Sequence, residues 1–359
     1  MEALNKANTN FALDFFKHQC QEDGNKNILF APLSISSVLA TVYLGAKGNT
    51  ADQMAKVSLG ARNTEIGKSG NIHTGFKALN LEINKPNKNY MLKSVNQLYG
   101  EKSLPFSKEY LQLAKKYYNA EPQAVDFMGA ANEIRREINS RVEEQTEGKI
   151  QNLLPPGSID SLTRLVLVNA LYFKGTWATK FEAEATRQRP FRINTSRLML
   201  LSFHTVNNDL SMFILLPRDI AGLQKLIREL TFENLSAWTS PELMEKMKVE
   251  LYLPRFTVEE KYNLKSALSK MGIQDAFTEG QADFTGMSEK DNLVLSQVFH
   301  KCYVEVNEEG TEAAAASSAA LTSRSLGAAI IFVADHPFLF FIRHNSTKCI
   351  LFLGRFCSP

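Results

Sequence analysis

Apolar residues recur with two different periods along the chain, and these periods predict a mixture of helices and strands. Phe11, Phe15 and Phe16 fall on one side of a helix near the N-terminus, whereas Leu295–Val306 alternates between apolar and polar positions as a half-buried strand does. Leu165–Phe173 is apolar almost throughout, which is typical of a central strand covered on both faces. The chain therefore combines a sheet with helices packed against it.

The same patterns predict the other elements. A polar, glycine-containing stretch at Gly60–Asn71 is the first predicted loop, and Thr50–Gln53 has the form of a capping box at the start of a helix. Strands and helices do not alternate strictly and no internal repeat is found, which favours an α+β fold. Further helices are predicted at Ser34–Leu44, around Phe76, Leu79 and Ile83, at Ser107–Tyr118 and at Asn132–Ile150, and further strands at Ile28–Phe30, Tyr90–Tyr99, Val249–Leu253, Ile330–Val333, Phe338–Ile342 and Cys349–Leu353.

The stretch 308–326 distributes small and charged side chains unevenly. Read with the period of a strand, every second residue from Thr311 to Ser323 is uncharged and nearly all of them are small, whereas Glu312 and Arg324 fall on the opposite face. A surface helix or an Ala/Ser linker would also explain this composition. Because strands are predicted on both sides of it, the stretch joins two sheet elements.

Two segments around this stretch resemble motifs of the serpin family. Val304–Ala315 is similar to the proximal hinge of inhibitory serpins, and Asp335–Arg343 is similar to the C-terminal signature of that family. The resemblance covers nearly the whole chain and is greatest to the ovalbumin-type, clade B intracellular serpins. It implies the α+β serpin fold, with three β-sheets and about eight or nine helices in a single domain over residues 1–359. It also implies an exposed reactive-centre loop at about 308–328.

The resemblance further implies a mechanism. Inhibitory serpins are suicide substrates of serine proteases. Their scissile residue stands thirteen positions after the hinge threonine, so the implied bait bond is Arg324–Ser325. An arginine there implies a trypsin-like target held as a covalent acyl complex. The cleaved loop then inserts into the central sheet as a strand, and small inward side chains let it do so without burying a charge. The implied hinge positions are Glu308, Gly310, Thr311, Ala313 and Ala315.

Two polar residues lie within predicted core strands. Asn169 lies in the middle of Leu165–Phe173, and His300 shares a strand face with Val298 and Cys302. Taken alone, each is most simply a hydrogen-bonded core residue, since an unpaired buried polar group costs about 1–3 kcal/mol. The resemblance implies that they belong to a polar cluster beneath the point where the central sheet opens. The implied positions are Ser34, Ser37, Asn169 and His300 for this cluster, and Trp177, Arg255 and Glu308 for the top of the sheet.

Composition and motif content narrow the class of protein. The 359-residue chain is 22% charged and 44% hydrophobic, as globular proteins are, and a net charge of +3 gives no argument for nucleic acid or a membrane as partner. Enzyme motifs, phosphate-binding loops and paired zinc spacings are absent, so no catalysis, cofactor or metal is expected. His300 and Cys302 share a strand face, but a buried cysteine there is more simply inert than nucleophilic.

The cysteines and the N-terminus indicate the compartment. Met1–Gln21 has no uninterrupted apolar segment of the kind found in a signal peptide, so a cytoplasmic location is expected, with unconventional secretion as an additional route. The protein is expected to be a monomer, with loop–sheet polymers as its alternative form of association. Four cysteines lie far apart without close pairing, which suits a reducing compartment: Cys20, Cys302, Cys349 and Cys357.

One segment departs from the family pattern. Pro190–Asn194 and Asp209–Pro217 both match serpin segments, but only Thr195–Asn208 separates them where the family has several strands. Leu198–Leu201 is predicted to be one of these strands, and at about 5–6 residues per strand there is no room for three. Missing core strands threaten the strain that drives inhibition. A non-inhibitory serpin-fold protein is therefore the alternative function, and a form that misfolds or polymerises is the third.

Overall fold

Helices and sheets account for most of the chain. The structure is a computed structural model and describes residues 2–22, 24–59, 70–88, 90–175, 177–178, 181, 186, 199–217, 220–240, 242, 244, 249–290, 293–308 and 330–358. The α-helices in this part of the chain are α1 (Glu2–Glu22), α2 (Pro32–Tyr43), α3 (Gly48–Ser58), α4 (Gly70–Ile83), α5 (Lys108–Tyr118), α6 (Phe127–Gln145), α7 (Ile220–Glu229), α8 (Phe232–Trp238) and α9 (Lys265–Met271).

Twelve strands form three sheets within the same residues. The central sheet has the order β3-β2-β4-β9-β8, the core sheet β1-β12-β11-β6-β5 and the small sheet β10-β7. The α+β class and the number of sheets and helices therefore match the expectation from the sequence. The strands are β1 (Ile28–Phe30), β2 (Tyr90–Glu101), β3 (Gln123–Val125), β4 (Leu165–Gly175), β5 (Met199–His204), β6 (Leu210–Leu216), β7 (Val249–Tyr252), β8 (Phe256–Asn263), β9 (Leu295–Val306), β10 (Ile330–Val333), β11 (Phe338–His344) and β12 (Ile350–Phe356).

Strand β4 is covered on both faces, as its apolar run predicts. Leu167 and its alternate neighbours pack into the core on the α2 side of the sheet, whereas Val166 and Val168 pack against α6 on the other side. Asn169 belongs to the α2 side and is fully buried. The only polar interruption of the run therefore points into the protein, where it needs hydrogen-bond partners.

Aromatic rings join the central sheet to the core sheet. Phe256 of β8 lies 4.7 Å from Phe356 of β12 and 5.4 Å from Phe340 of β11, measured between ring centroids. Each of these rings is nearly or completely buried. Such clusters contribute more than their buried area alone, by about 0.5–1.5 kcal/mol for each well-arranged pair. The two large sheets thus share one core.

Some predicted boundaries differ from the observed ones for identifiable reasons. Helix α2 begins at Pro32, two residues before the predicted start, because proline suits the first turn of a helix. Helix α6 begins at Phe127, where Asp126 caps it by accepting a hydrogen bond from the Gly129 N–H. The capping box at Thr50 is wrong: α3 begins two residues earlier. The Thr50 hydroxyl instead accepts a hydrogen bond from the Asp283 N–H at 3.0 Å. Most of the predicted loop, residues 60–69, lies outside the described residues.

The shortened segment contains one strand of the core sheet. Met199–His204 forms β5 and pairs with β6 alone among the described residues, so it ends the core sheet on that side. The predicted strand Leu198–Leu201 overlaps β5 but ends three residues before it does, and residues 195–198 lie outside the described residues. A single 3₁₀ turn at Val206–Asn208 leads into β6. Within residues 199–208, the described part of the interval, β5 is the only strand, which agrees with the length argument.

Neither a membrane-spanning helix nor a metal-binding group of side chains is found among the described residues. No helix among them is long and apolar enough to cross a bilayer. No group of three or more His, Cys, Asp or Glu side chains in that part of the chain is arranged to hold a metal ion.

Candidate functional site

A row of polar side chains crosses the middle of the central sheet. Strand register places Asn96 of β2 opposite Asn169 of β4, Asn169 opposite His300 of β9, and His300 opposite Tyr262 of β8. Because side chains at opposed positions lie on the same face, all four point toward α2 and β1. We call Asn96, Asn169, His300 and Ser34 of α2 the buried seam, since their hydrogen bonds join three strands to the helix beneath.

His300 makes a hydrogen bond with each ring nitrogen. Its Nε2 accepts from the Ala31 N–H at 3.1 Å, so Nδ1 carries the proton and donates to Asn169 Oδ1 at 2.5 Å. Burial lowers the pKa of His300 to about 3, which keeps the ring neutral at physiological pH. The ring also stacks on Tyr262 at a centroid distance of 6.2 Å. One tautomer of a neutral histidine therefore connects β9 to both β4 and the start of α2.

Asn169 joins the other half of the seam. Its side-chain amide donates to Ser34 Oγ at 2.5 Å and to Asn96 Oδ1, while its carbonyl accepts from His300. Ser34 Oγ in turn donates to Asn96 Oδ1 at 3.3 Å. Each donor and acceptor of the buried amide is thus engaged. Removing any partner would leave a buried polar group unsatisfied, at a cost of about 1–3 kcal/mol.

Ser37 lies near the seam but does not bond to Asn169 or His300. It is one turn of α2 beyond Ser34, and its hydroxyl accepts a hydrogen bond from Asn80 Nδ2 of α4 at 3.0 Å. It therefore ties α2 to α4. The resemblance implied that Ser34 and Ser37 belong to one polar cluster with Asn169 and His300, and of the two serines Ser34 is the one that accepts a hydrogen bond from Asn169.

Cys302 contacts the same part of β1 as His300. Its thiol donates to the Leu29 carbonyl oxygen at 3.1 Å, and its side chain is completely buried. Burial raises the pKa of the thiol well above its ordinary value, so it stays protonated. Since only the thiolate is a good nucleophile, the pair of Cys302 and His300 has a structural arrangement and not a catalytic one.

A second group of residues lies at the end of the β4–β9 pair. Trp177 follows β4, is 4% exposed, and packs edge-on against Phe203 of β5 at 4.6 Å. It pairs with Thr205 in an isolated antiparallel bridge, and the Ala178 N–H donates to the His204 carbonyl at 2.9 Å. The segment after β4 is thereby attached to the end of the core sheet.

Glu308 attaches the end of β9 to three different segments. Its carboxylate accepts from Thr186 Oγ1 at 2.8 Å and lies 3.8 Å from Arg255 Nη1, and its carbonyl accepts from the Phe181 N–H at 3.2 Å. A hydrogen bond from its own backbone N–H lowers the pKa of Glu308 most, followed by the Thr186 hydroxyl and then Arg255. We call Trp177, Arg255, Glu308 and Thr186 the outer clasp.

The remaining predicted positions cannot be placed. Residues 309–329 lie outside the described residues, and so do these hinge and reactive positions: Gly310, Thr311, Ala313, Ala315, Arg324 and Ser325. The structure does describe the two strands between which the loop lies in the sequence. Strand β9 ends at Val306 and β10 begins at Ile330.

Comparison of the sequence with models of protein families identifies the family to which the chain belongs. The family described as "Serpin (serine protease inhibitor)" matches residues 6–359. The chain belongs to the serpin family.

Individual serpins are similar over their full length. Serpin B10 of Plecturocebus moloch is 49% identical over 397 positions, and plasminogen activator inhibitor 2 of Homo sapiens is 45% identical over 415, with all of both chains covered in each comparison. Among solved structures, uncleaved ovalbumin superposes with a TM-score of 0.91 at 38% identity, covering 99% of this chain and 100% of that one. The fold predicted from the hinge and signature motifs is thus confirmed.

The chain is shorter than the serpin relatives that it matches. The Serpin B10 comparison runs over 397 positions, whereas this chain has 359 residues, so it lacks a residue at 38 of those positions (397 less 359). Among the described residues between β4 and β6, β5 is the only strand. The chain is therefore a serpin that is shorter than its relatives, and its core sheet ends at β5 within the described residues.

The structure adds residues that the sequence did not single out. Asn96 completes the seam, and Asn80, the Ala31 N–H and Tyr262 support it. Asn96 is one polar residue among several on β2, and only the pairing register places it opposite Asn169. The sequence predicted a strand at Tyr90–Tyr99 but not which of its side chains lies opposite Asn169.

Proposed function

We propose that this protein inhibits trypsin-like serine proteases as a suicide substrate, with Arg324–Ser325 as the bait bond. The observation that carries the proposal is the parallel pairing of β4 with β9 directly above the buried seam. A loop that follows β9 must reverse direction to lie beside it. Inserted between β4 and β9, it would run antiparallel to both, and antiparallel pairs are slightly more stable per residue than parallel ones.

Insertion is favourable because it replaces one parallel pair by two antiparallel pairs. The inserted strand must present one face to the core beneath β4 and β9, and the alternate residues from Thr311 to Ser323 carry no charge. An unpaired Arg or Glu on that face would cost several kcal/mol. The alternation in the loop therefore matches the buried position it would occupy.

The seam and the clasp are proposed to hold the sheet closed. Asn169 and His300 join β4 to β9 at mid-strand, with Ser34 beneath them, and Ser37 holds the same helix against α4. Trp177, Arg255 and Glu308 close the end of the pair from which the hinge departs. Since hydrogen bonds at such a seam can be remade with a new strand, they favour the closed sheet without preventing a later opening.

The chemistry belongs to the protease. Its serine Oγ attacks the Arg324 carbonyl carbon, the peptide bond to Ser325 breaks, and the new amino terminus leaves with a proton from the catalytic histidine. An ester then links the protease to Arg324. The guanidinium of Arg324 suits an acidic S1 pocket, which is why a trypsin-like target is proposed. No residue of this chain acts as a catalyst.

The cellular location, the domain organisation and the oligomeric state are further parts of the proposal. The four cysteines lie far apart in the sequence without close pairing, so a reducing, cytoplasmic location is proposed for the protein, with unconventional secretion as a further route. The aromatic core shared by the central and core sheets supports a single domain over residues 1–359. A monomer is the proposed working form, with loop–sheet polymers as its form of self-association.

Incubation with trypsin at equal concentration tests the proposal. The expected product is a complex that resists boiling in SDS and has the mass of both proteins less residues 325–359. Arg324→Gln is expected to abolish it, whereas Arg324→Lys is expected to retain it, since trypsin accepts both basic side chains. Clean cleavage after Arg324 without a complex would overturn inhibition. That result would support the second candidate, a non-inhibitory serpin, which the 38 missing positions favour.

A further inference from the structure

A cavity of about 590 Å³ opens beside the buried seam, between α4, α5 and β2. Its volume lies within the range of about 300–1,000 Å³ found for small-molecule sites. The described residues that line it come from α2, α4, α5, β2, β4 and β12 and from the residues directly after α4 and α5.

The inner wall of the cavity is apolar. Leu33 of α2, Leu92 of β2, Leu171 of β4 and Leu351 of β12 all line it, so four different elements contribute aliphatic side chains. Leu92 is at a half-buried position, unlike the fully enclosed leucines of the main core. Such a wall favours a ligand that has an apolar body.

The mouth of the cavity is basic. Lys77 of α4 and Lys115 and Lys116 of α5 line it, and none of the described residues that line it is an aspartate or a glutamate. Lys115 is already paired with Glu121, which leaves Lys77 and Lys116 as the stronger attractors of an anion. Leu81 lies at the same mouth with 64% of its surface exposed. The local charge thus favours a negative group in contact with apolar surface.

Polar groups of the seam form the floor. Asn96 is exposed to the cavity although its Oδ1 accepts from Ser34 and Asn169, and Asn80 reaches Ser37 from the same wall. An occupant would therefore lie against the hydrogen bonds that join β2 and β4 to α2. These polar groups would fix the orientation of a bound ligand, which is the usual role of polar groups in an apolar pocket.

We propose that this cavity binds a small monoanionic amphiphile, with a carboxylate or sulfonate head at Lys77 and Lys116 and an aliphatic or aromatic body on the four leucines. A simple inorganic anion would leave the apolar wall empty, and a neutral lipid would leave the lysines without a partner. The site is distinct from the reactive loop, so its occupation does not depend on whether the protein inhibits a protease.

Calorimetric titration of the full-length protein with laurate, below the concentration at which it forms micelles, tests the site. Laurate carries both halves of the proposed ligand, whereas dodecanol lacks the charge and sodium sulfate lacks the apolar body. The proposal expects saturable, one-to-one binding of laurate, at least about tenfold tighter than dodecanol, and no competition by sulfate at matched ionic strength. Equal binding of dodecanol, displacement by sulfate, or no saturable binding would overturn it.

Matched variants locate the binding. Leu81→Glu places a carboxylate at the mouth and is expected to weaken laurate binding about tenfold, whereas Leu162→Glu alters a leucine that is 75% exposed elsewhere and is expected to change it less than twofold. Lys116→Gln and Lys108→Gln form a second pair on α5, of which only the first lines the cavity. Because all four positions are exposed, folding is preserved. Equal effects within either pair would place the ligand elsewhere.

Discussion

The buried seam and the outer clasp hold the same pair of strands at two points, by different physical means. Asn169 and His300 are fully buried, and every polar atom of the amide is hydrogen-bonded. At the clasp, Arg255 is 67% exposed and lies 3.8 Å from the Glu308 carboxylate. A solvated ion pair contributes about 0–1 kcal/mol, whereas breaking the seam leaves buried groups unpaired at about 1–3 kcal/mol each. We infer that the sheet opens from the clasp toward the seam.

The largest expected effect concerns the strand that must enter at the clasp. Ala313→Arg puts a charge on the face that would be buried, and it is expected to reduce trapping of trypsin at least about 100-fold, because burying an unpaired guanidinium costs several kcal/mol. Ala314→Arg puts the same charge on the opposite face and is expected to change trapping by less than about threefold. The ratio of covalent complex to cleaved chain measures both. Equal losses would contradict insertion in this register.

The next largest effect is expected when a variant breaks the hydrogen bonds of the buried seam. Asn169→Ala removes the amide that joins Ser34, Asn96 and His300, and is expected to lower the free energy of unfolding by about 2–3 kcal/mol. Asn132→Ala, at an exposed position of α6, is the control and is expected to change it by less than about 0.5 kcal/mol. Urea midpoints measure both. A seam variant as stable as the control would show that the row of hydrogen bonds contributes little.

The seam also predicts a dependence on pH. The pKa of His300 is about 3 when folded, against an ordinary value of 6.5, so the unfolded chain takes up the proton first as pH falls. The contribution of His300 is therefore complete above pH 6.5 and is lost on acidification toward pH 3, at about 1.4 kcal/mol per unit. Between pH 6.5 and 5 this amounts to about 2 kcal/mol.

Comparison with His300→Gln isolates this contribution. His73 is buried too, and burial lowers its pKa to about 4, so the wild-type protein loses stability from both rings in the same window. The variant is expected to show a shallower fall in urea midpoint between pH 6.5 and 5, because one titrating group is gone. Parallel profiles for the two proteins would mean that folding does not lower the pKa of His300.

The smallest effect is expected at the clasp. Arg255→Gln removes an exposed charge 3.8 Å from Glu308 and is expected to change the free energy of unfolding by less than about 1 kcal/mol. Arg136→Gln, at an exposed position of α6, controls for the loss of one surface charge. If the clasp variant were as destabilised as Asn169→Ala, the sheet would not open from this end.

Sequence periodicity predicted the strands of the site better than its hydrogen bonds. The bounds of β9 and β10 match the predicted strands Leu295–Val306 and Ile330–Val333. In β9 the alternation follows from the burial of one face. The capping box at Thr50 failed because the Asp283 N–H, distant in sequence, takes the hydroxyl. Asn96 was not found because pairing register depends on the whole sheet. Ser37 was assigned to the polar cluster by resemblance, and the structure shows its hydroxyl accepting a hydrogen bond from Asn80.

The central claim is that a loop cut after Arg324 inserts between β4 and β9. The most direct test is the unfolding temperature of the intact protein and of the chain cleaved at Arg324–Ser325 with catalytic trypsin. A newly paired strand worth several kcal/mol is expected to raise it by more than about 10 °C, since each kcal/mol shifts the midpoint by about 2–4 °C in proteins somewhat smaller than this one. A cleaved chain that unfolds at the same or a lower temperature would contradict insertion.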